Sequence, residues 1–210
     1  LHNQLDLYSN FTYFLDHPDT GDQFSQPDRR MTLGLNASHS WRHAMLGRPA
    51  ETTMGVQVQG DEIHNGLYDT QARVRLATTR EDHVRQRSVG IYLQNASQWT
   101  PWFRSIVGVR GDAYHNDVDS NLVVNSGTAK DSQVSPKLSL VFGPWEKTEF
   151  YVNLGRGFHS NDARGTTIRV DPKNPDNAAV REAPLVPSRG MEVGARSELV
   201  KGLQTSLALY

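Results

Sequence analysis

The segment from residue 136 to residue 158 alternates between apolar and polar residues with a period of two. Before a Gly-Pro-Trp turn, apolar residues such as Leu138 and Leu140 occupy every second position. After the turn, Phe150 and Val152 continue the same spacing. Successive side chains of a β-strand point to opposite faces, so the pattern predicts two strands that each have one apolar and one polar face. The tight turn between them predicts an antiparallel hairpin.

The same period recurs along most of the chain, and helical periodicity is not convincing anywhere. We count about nine such runs, which predict an antiparallel meander without a crossover helix. The runs cover residues 5–15, 31–41, 54–58, 89–99, 103–109, 134–142, 150–154, 191–199 and 203–209.

The connections between the runs alternate between short and long. Short connections are predicted at about 42–50, 99–102, 143–147 and 200–202, and long polar ones at about 16–29, 64–86, 115–133 and 158–187. Most runs extend over about nine to twelve residues, which is enough to cross a bilayer at a tilt of about 45°. Alternating turns and loops are typical of an up-and-down barrel in an outer membrane.

The tryptophans lie at or beside the short connections. They are Trp41, Trp99, Trp102 and Trp145. If the short turns share one end of the sheet, these rings lie at one level and form an aromatic girdle at a membrane interface. A soluble β-sandwich would bury some of them in the middle of a strand.

The composition permits this interpretation. A mean hydropathy of -0.58 and a net charge of -1 over 210 residues would also suit a soluble domain. However, a sheet with one apolar and one wet face need not be hydrophobic on average. The chain has no cysteine, which excludes disulfides and thiolate metal sites. Its near-neutral charge gives no reason to expect a nucleic-acid partner.

We therefore expect an all-β fold, an antiparallel up-and-down transmembrane β-barrel. Single-chain bacterial barrels have an even number of strands, so about nine strands predict an incomplete barrel that is part of a larger one. A soluble all-β binding module remains an alternative because a β-sandwich also alternates. Its strands are usually shorter, and its loops are not systematically unequal at the two ends.

Four stretches resemble, in order and spacing, the later barrel strands of TonB-dependent outer-membrane receptors. They are GVRGD at 108–112, SPKLSLVFGP at 135–144, YVNLGRGFHSNDARG at 151–165 and SRGMEVGARSEL at 188–199. The resemblance covers about the whole chain and is most specific from residue 88 to residue 210. It implies a barrel of about 22 strands, with residues 1–210 as part of the barrel domain and with the plug domain and terminal strands outside this sequence.

The resemblance implies uptake of a scarce small-molecule ligand, such as a siderophore-like metal chelate, across the outer membrane of a Gram-negative cell. The TonB energy-transducing complex would act through the plug. The barrel would supply the wall, the extracellular loops and the specificity, without a cofactor. A passive porin-like channel is another alternative, and it would lack the plug and the TonB box.

Two predicted loops carry candidate ligand-binding residues. The candidates are His159, Asn161, Asp162 and Arg164 in the longest loop, and Arg73, Arg75 and Arg80 in segment 64–86. The first group offers donors and acceptors for an anionic chelate, although Asn161 and Asp162 could instead cap a turn. The arginines suit carboxylate or phosphate ligands through bidentate bonds, and they equally suit the lipopolysaccharide that surrounds such a barrel.

The polar faces of several predicted strands carry charges of both signs. They include Arg110, Asp112, Lys137, Glu149, Glu192 and Arg196. We expect these residues to face the barrel lumen, where charges on neighbouring strands neutralise one another.

The histidines do not predict a metal site. Those on or beside predicted long loops are His17, His64, His83, His115 and His159, and none has the two-histidine spacing of a zinc site. The sequence also has no Gly-rich phosphate loop, serine elbow or HExxH motif. We therefore expect transport and not catalysis.

Overall fold

A computed structural model describes residues 1–210 and contains one sheet of nine antiparallel strands. The strands are β1 (His2–Ser9), β2 (Gln23–Met45), β3 (Arg48–Gln71), β4 (Val74–Thr100), β5 (Phe103–Ser120), β6 (Gly127–Trp145), β7 (Thr148–Ser160), β8 (Leu185–Ser197) and β9 (Thr205–Leu209). Each strand pairs with the next one along the chain, and the sheet is open. The predicted all-β meander is confirmed.

Helical structure is limited to two short elements. A 3₁₀ turn covers Val123–Asn125, and the helix α1 covers Ala163–Thr167. No helix of the structure combines the length and the apolar character needed to span a membrane.

The connections gather at two ends of the sheet. At one end, the turn end, the strands are joined by residues 46–47, 101–102, 146–147 and 198–204. At the other, the loop end, they are joined by residues 10–22, 72–73, 121–126 and 161–184. The turn end matches the predicted short connections, and all four tryptophans lie near it.

Two of the predicted long loops, 64–86 and 115–133, are wrong. Strands β3 and β4 are 24 and 27 residues long and meet at a tight turn. The turn residues Ala72 and Arg73 both have positive φ, 49° and 66°, as a type I′ hairpin turn requires. Strands β5 and β6 leave only residues 121–126 between them. Periodicity missed these extensions because both faces of an exposed hairpin can be polar, so a paired strand need not alternate.

The register separates an apolar face from a polar face. Leu35, Val58 and Val89 are cross-strand neighbours on the apolar face, and Asn36, Gln57 and Gly90 are neighbours on the polar face. The apolar face is exposed: Leu35 is 63% and Leu207 is 70% accessible. A soluble module would bury these side chains in a closed core, so the exposed apolar face contradicts that alternative.

The first strand differs from the prediction. Strand β1 ends at Ser9, and the later part of the predicted run lies in the loop 10–22. Leu5 and Leu7 pair with Asp28 and Gln26, which places both leucines on the polar face. Strand β1 pairs with the loop end of β2, beyond the apolar stretch that begins at Met31. At that end of the sheet, no apolar face determines which side chains of β1 point to which face.

Tyrosine rings cover glycines on the polar face. Tyr92 pairs with Gly55, and Tyr151 pairs with Gly194. A Cβ atom on either glycine would lie only 2.4 Å from the opposing ring. The absence of a side chain therefore lets each ring lie flat on its neighbour strand and fill the gap there.

The aromatic residues of the turn end form a cluster larger than the predicted girdle. The ring centroids of Trp102 and Trp145 are 6.2 Å apart, and those of Phe103 and Phe142 are 5.1 Å apart. The Trp99 indole N–H donates to Ser105 Oγ at 2.8 Å. Trp102 and Trp145 therefore lie together at the turn end with the phenylalanines beside them, while a girdle of all four tryptophans at a membrane interface stays a prediction.

Candidate functional site

The long loop 161–184 folds back onto the polar face at the loop end. Its helix α1 packs Ala163 against Ile63, Val84 and Val118, which come from three adjacent strands. These four residues form a buried apolar cluster within a mainly polar surface. The small side chain of Ala163 permits close contact between the helix and the sheet, so the loop covers the sheet instead of projecting above it.

Asn125 fastens this loop to the neighbouring connection. Its side chain is fully buried, and its Oδ1 accepts the backbone N–H groups of Arg169 and Val170 at 2.8 and 3.0 Å. Its Nδ2 donates to the carbonyl of Val170 at 3.0 Å. Sequence reasoning missed Asn125, because an asparagine in a polar connection gives no signal of a long-range contact.

Three of the candidate ligand-binding residues converge beside α1. Asp162 caps the helix by accepting the N–H of Arg164 at 2.9 Å, and the two side chains form an ion pair at 2.6 Å. Arg80 pairs with Asp82 and also donates to the carbonyl of Arg164 at 3.5 Å. We call Asp28, Arg80, Asp82, Asp162 and Arg164 the loop-end charge cluster.

The charges in this cluster affect one another. Partial burial raises the pKa of Asp162, but the hydrogen bonds and charge of Arg164 and the charge of Arg80 outweigh it, so the pKa is lowered overall. The hydrogen bond from Arg164 to Asp162 raises the pKa of Arg164, and the charges of Asp82 and Asp28 add to that effect. Both groups are therefore ionised at neutral pH.

One buried oxygen of the cluster has no protein partner. The side chain of Asp82 is 0% exposed, and its Oδ1 accepts no hydrogen bond. A buried carboxylate oxygen without a donor costs free energy, so this atom is suited to accept a hydrogen bond from a buried water molecule.

The other candidate residues lie elsewhere. Arg73 and Arg75 stack on the rings of Tyr8 and Tyr68, with guanidinium carbons 5.3 and 3.6 Å from the ring centroids. They border a cleft of about 840 Å³ beside β1. Arg75 and Arg80 were predicted in a loop, and this is wrong, because both are part of β4. Arg75 and Arg80 therefore lie in a strand and not in a loop, while contact of these arginines with a ligand stays a prediction.

His159 and Asn161 also stay apart from the charge cluster. His159 is exposed in β7, where it pairs with Val186. Asn161 Nδ2 donates to the carbonyl of Ala183 at 2.8 Å, which closes the base of the loop. The capping role that sequence reasoning left open is therefore taken by Asp162.

The predicted lumen charges share the polar face of the sheet. The register places Arg110, Asp112, Lys137, Glu149, Glu192 and Arg196 on that face. The Arg110 side chain donates to both carboxylate oxygens of Asp112 at 2.7–2.9 Å and to Gln57 at 2.6 Å. Glu149 bridges Arg196 and Arg104 at 2.5 and 3.1 Å.

Comparison with known proteins identifies the family. The sequence matches the family model described as TonB dependent receptor-like, beta-barrel over residues 2–210. The chain belongs to the TonB-dependent receptor β-barrel family. This is a family of outer-membrane transport receptors of Gram-negative bacteria. A sequence search among curated proteins gave no match.

Solved receptor structures share the fold of this family member. It is similar to the unliganded ferric citrate transporter FecA, with a TM-score of 0.66 and 11% identity over 90% of this chain and 28% of that chain. It is similar to the alcaligin outer-membrane receptor FauA from Bordetella pertussis, with a TM-score of 0.64 and 15% identity over 98% and 35%. It is also similar to the copper transporter OprC, with a TM-score of 0.69 and 15% identity over 99% of this chain and 34% of that chain. The chain thus spans about a third of each of these receptors.

Proposed function

We propose that this chain forms part of the wall of a TonB-dependent receptor that imports a scarce, polar small molecule such as a metal chelate. The observation that carries the proposal is the loop 161–184, which holds a charge cluster against the polar face of a sheet whose other face is an exposed apolar band. The family match and the receptor-like fold support the same conclusion.

The remainder of the receptor would supply the plug domain and the strands that close a barrel of about 22 strands. The polar face would then line the lumen and contact the plug, and the apolar face would contact lipid. The TonB complex would pull on the plug and supply the energy for transport. The residues of this chain would hold the ligand and the plug.

The charge cluster favours a ligand with both donors and acceptors. Arg80 and Arg164 already pair with Asp82 and Asp162, so a simple polyanion would have to compete with these carboxylates. A chelate that carries hydroxyl or amide donors beside its carboxylates matches this arrangement better than phosphate alone.

Uptake by the full-length receptor tests the proposal. The receptor would be expressed in a Gram-negative host without competing receptors. Growth would be measured with ferric citrate as the iron source, and accumulation of Cu²⁺ would be measured separately. We expect transport of at least one probe to require TonB. The Arg80→Ala/Arg164→Ala variant should weaken uptake about tenfold or more, because a charge-assisted hydrogen bond contributes about 1.5–3 kcal/mol. Arg48→Ala at the turn end is the matched control.

A passive channel predicts a different result. Uptake that persists at the same rate without TonB, or a steady ion conductance of the full-length receptor in a planar bilayer, would support the porin-like alternative. Equal uptake by the double variant and the control would remove the charge cluster from the ligand site.

Lipopolysaccharide is a further proposed partner, at the apolar face. Arg87, His115 and Lys130 are cross-strand neighbours just beyond the apolar residue Val89, and they border a hollow of about 880 Å³. The cations Arg87 and Lys130 suit the phosphate groups of a lipid headgroup. We expect Arg87→Glu/Lys130→Glu to reduce the lipopolysaccharide that copurifies with the receptor, and unchanged amounts would contradict this contact.

A further inference from the structure

Two histidines that are far apart in the sequence are direct neighbours in the sheet. His64 of β3 pairs with His83 of β4, and their rings stack with centroids 4.2 Å apart and an interplanar angle of 9°. Glu62 lies two residues before His64 and therefore projects from the same face. Its Oε1 is 3.0 Å from His83 Nε2.

These side chains offer a convergent set of metal ligands. One ligand atom from each of Glu62, His64 and His83 lies within 4.8 Å of the others. A metal ion bound at about 2.0–2.2 Å from each atom in a tetrahedral site needs these atoms about 3.4 Å apart, and side-chain rotation can supply that movement. Two imidazoles and one carboxylate suit zinc, copper or nickel, whereas magnesium and calcium prefer oxygen ligands.

The cross-strand neighbours of these residues carry charges of both signs. Arg29 pairs with His64, Arg85 pairs with Glu62, and Asp119 pairs with His83. The Asp119 carboxylate could orient an imidazole or bind a metal-bound water, which is the usual role of an outer carboxylate at a histidine site. The side chains of Glu62 and His83 are 56% and 32% exposed, so an ion can reach them from solvent.

We propose that Glu62, His64 and His83 bind one divalent transition-metal ion, with Zn²⁺ or Cu²⁺ as the fitting class. The site lies on the same face as the apolar band, beyond Val58 and Val89, and on the opposite face from the loop-end charge cluster. The ion clamps β3 to β4 where the long hairpin extends beyond that band. Its position outside the bilayer depends on the proposed function, whereas metal binding itself does not.

Metal titration of the full-length receptor tests the site. The detergent-solubilised receptor would be stripped with a chelator and titrated calorimetrically with Zn²⁺, with Mg²⁺ as the comparison ion. We expect the His64→Ala/His83→Ala variant to lose one equivalent of Zn²⁺, and Glu62→Gln to bind at least about tenfold more weakly, since even outer-shell changes cost about 10–100-fold. The matched control His39→Ala, on the same face in β2, should bind like the wild type.

Hydrogen exchange gives a second measurement that does not depend on transport. Zn²⁺ should slow exchange of the amides in residues 62–83 of the wild type and leave the double variant unchanged. The proposal is overturned if the double variant binds Zn²⁺ with the stoichiometry and affinity of the wild type, or if the ion slows exchange equally in both proteins. Because neither measurement involves uptake, failure here is distinguishable from failure of the proposed transport function.

Discussion

Leu93→Arg provides the most direct test of lipid contact at the apolar face. Leu93 lies midway between Arg87 and Trp99 on β4. The twelve residue steps from Arg87 to Trp99, at about 3.3 Å per step and a tilt of about 45°, span roughly 28 Å, which is close to the thickness of the hydrocarbon core. Leu93 is therefore expected at the midplane.

The magnitude follows from that depth. The Leu93 side chain is 46% exposed and has Met54 and Val109 as its cross-strand neighbours. Arginine on the lipid face at the midplane destabilises a barrel by about 2–4 kcal/mol. At a water-exposed surface the same substitution would usually change the free energy of unfolding by no more than about 0.5 kcal/mol.

The assay is urea unfolding of the full-length receptor in lipid vesicles, followed by tryptophan fluorescence. Gln94→Arg is the matched control, because Gln94 is the next residue of the strand and lies on the polar face. We expect a penalty of about 2–4 kcal/mol for Leu93→Arg and a much smaller one for Gln94→Arg. Equal penalties, or a Leu93→Arg penalty below about 0.5 kcal/mol, would refute the assignment of lipid to this face.

Three further predictions concern the polar face and the folded loop. Glu149→Gln should lower the free energy of unfolding by about 1–3 kcal/mol in the same titration, because two arginines lose their carboxylate partner. Glu149→Asp keeps a carboxylate and should lose less stability. An equal or larger loss in Glu149→Asp would contradict this explanation. Asn125→Ala should speed hydrogen exchange in residues 169–170, and unchanged exchange would show that its buried hydrogen bonds do not hold the loop. The pKa of Asp162 is lowered in the folded loop, so its contribution to stability is complete above the ordinary aspartate pKa and is lost as the pH falls through the lowered value. Exchange at the Arg164 amide, corrected for intrinsic rate, should therefore lose protection in acid in the wild type but not in Asp162→Asn, and the same acid-induced loss in both proteins would exclude Asp162 as its cause.

The sequence by itself determined the apolar band of the sheet and the phase of the strands that carry it. An apolar solvent on one face selects apolar residues at every second position, and this signal is local, so it can be read without knowing which strands are neighbours. The number of strands, the turn-end position of Trp102 and Trp145, and the shared face of Arg110 and Glu149 all follow from that phase.

Tertiary structure decided what lies beyond the apolar band. There, no apolar face enforces alternation, so the continuation of β3 and β4 and the polar-face position of Leu5 depend on pairing with neighbouring strands. A shift of one residue in register would move each side chain to the other face. The meeting of His64 with His83 therefore depends on the two-residue turn between β3 and β4 and on the two register shifts between Leu67 and Thr70. The charge cluster depends on the packing of Ala163 against three strands. Each is a long-range contact that spacing along the chain does not encode.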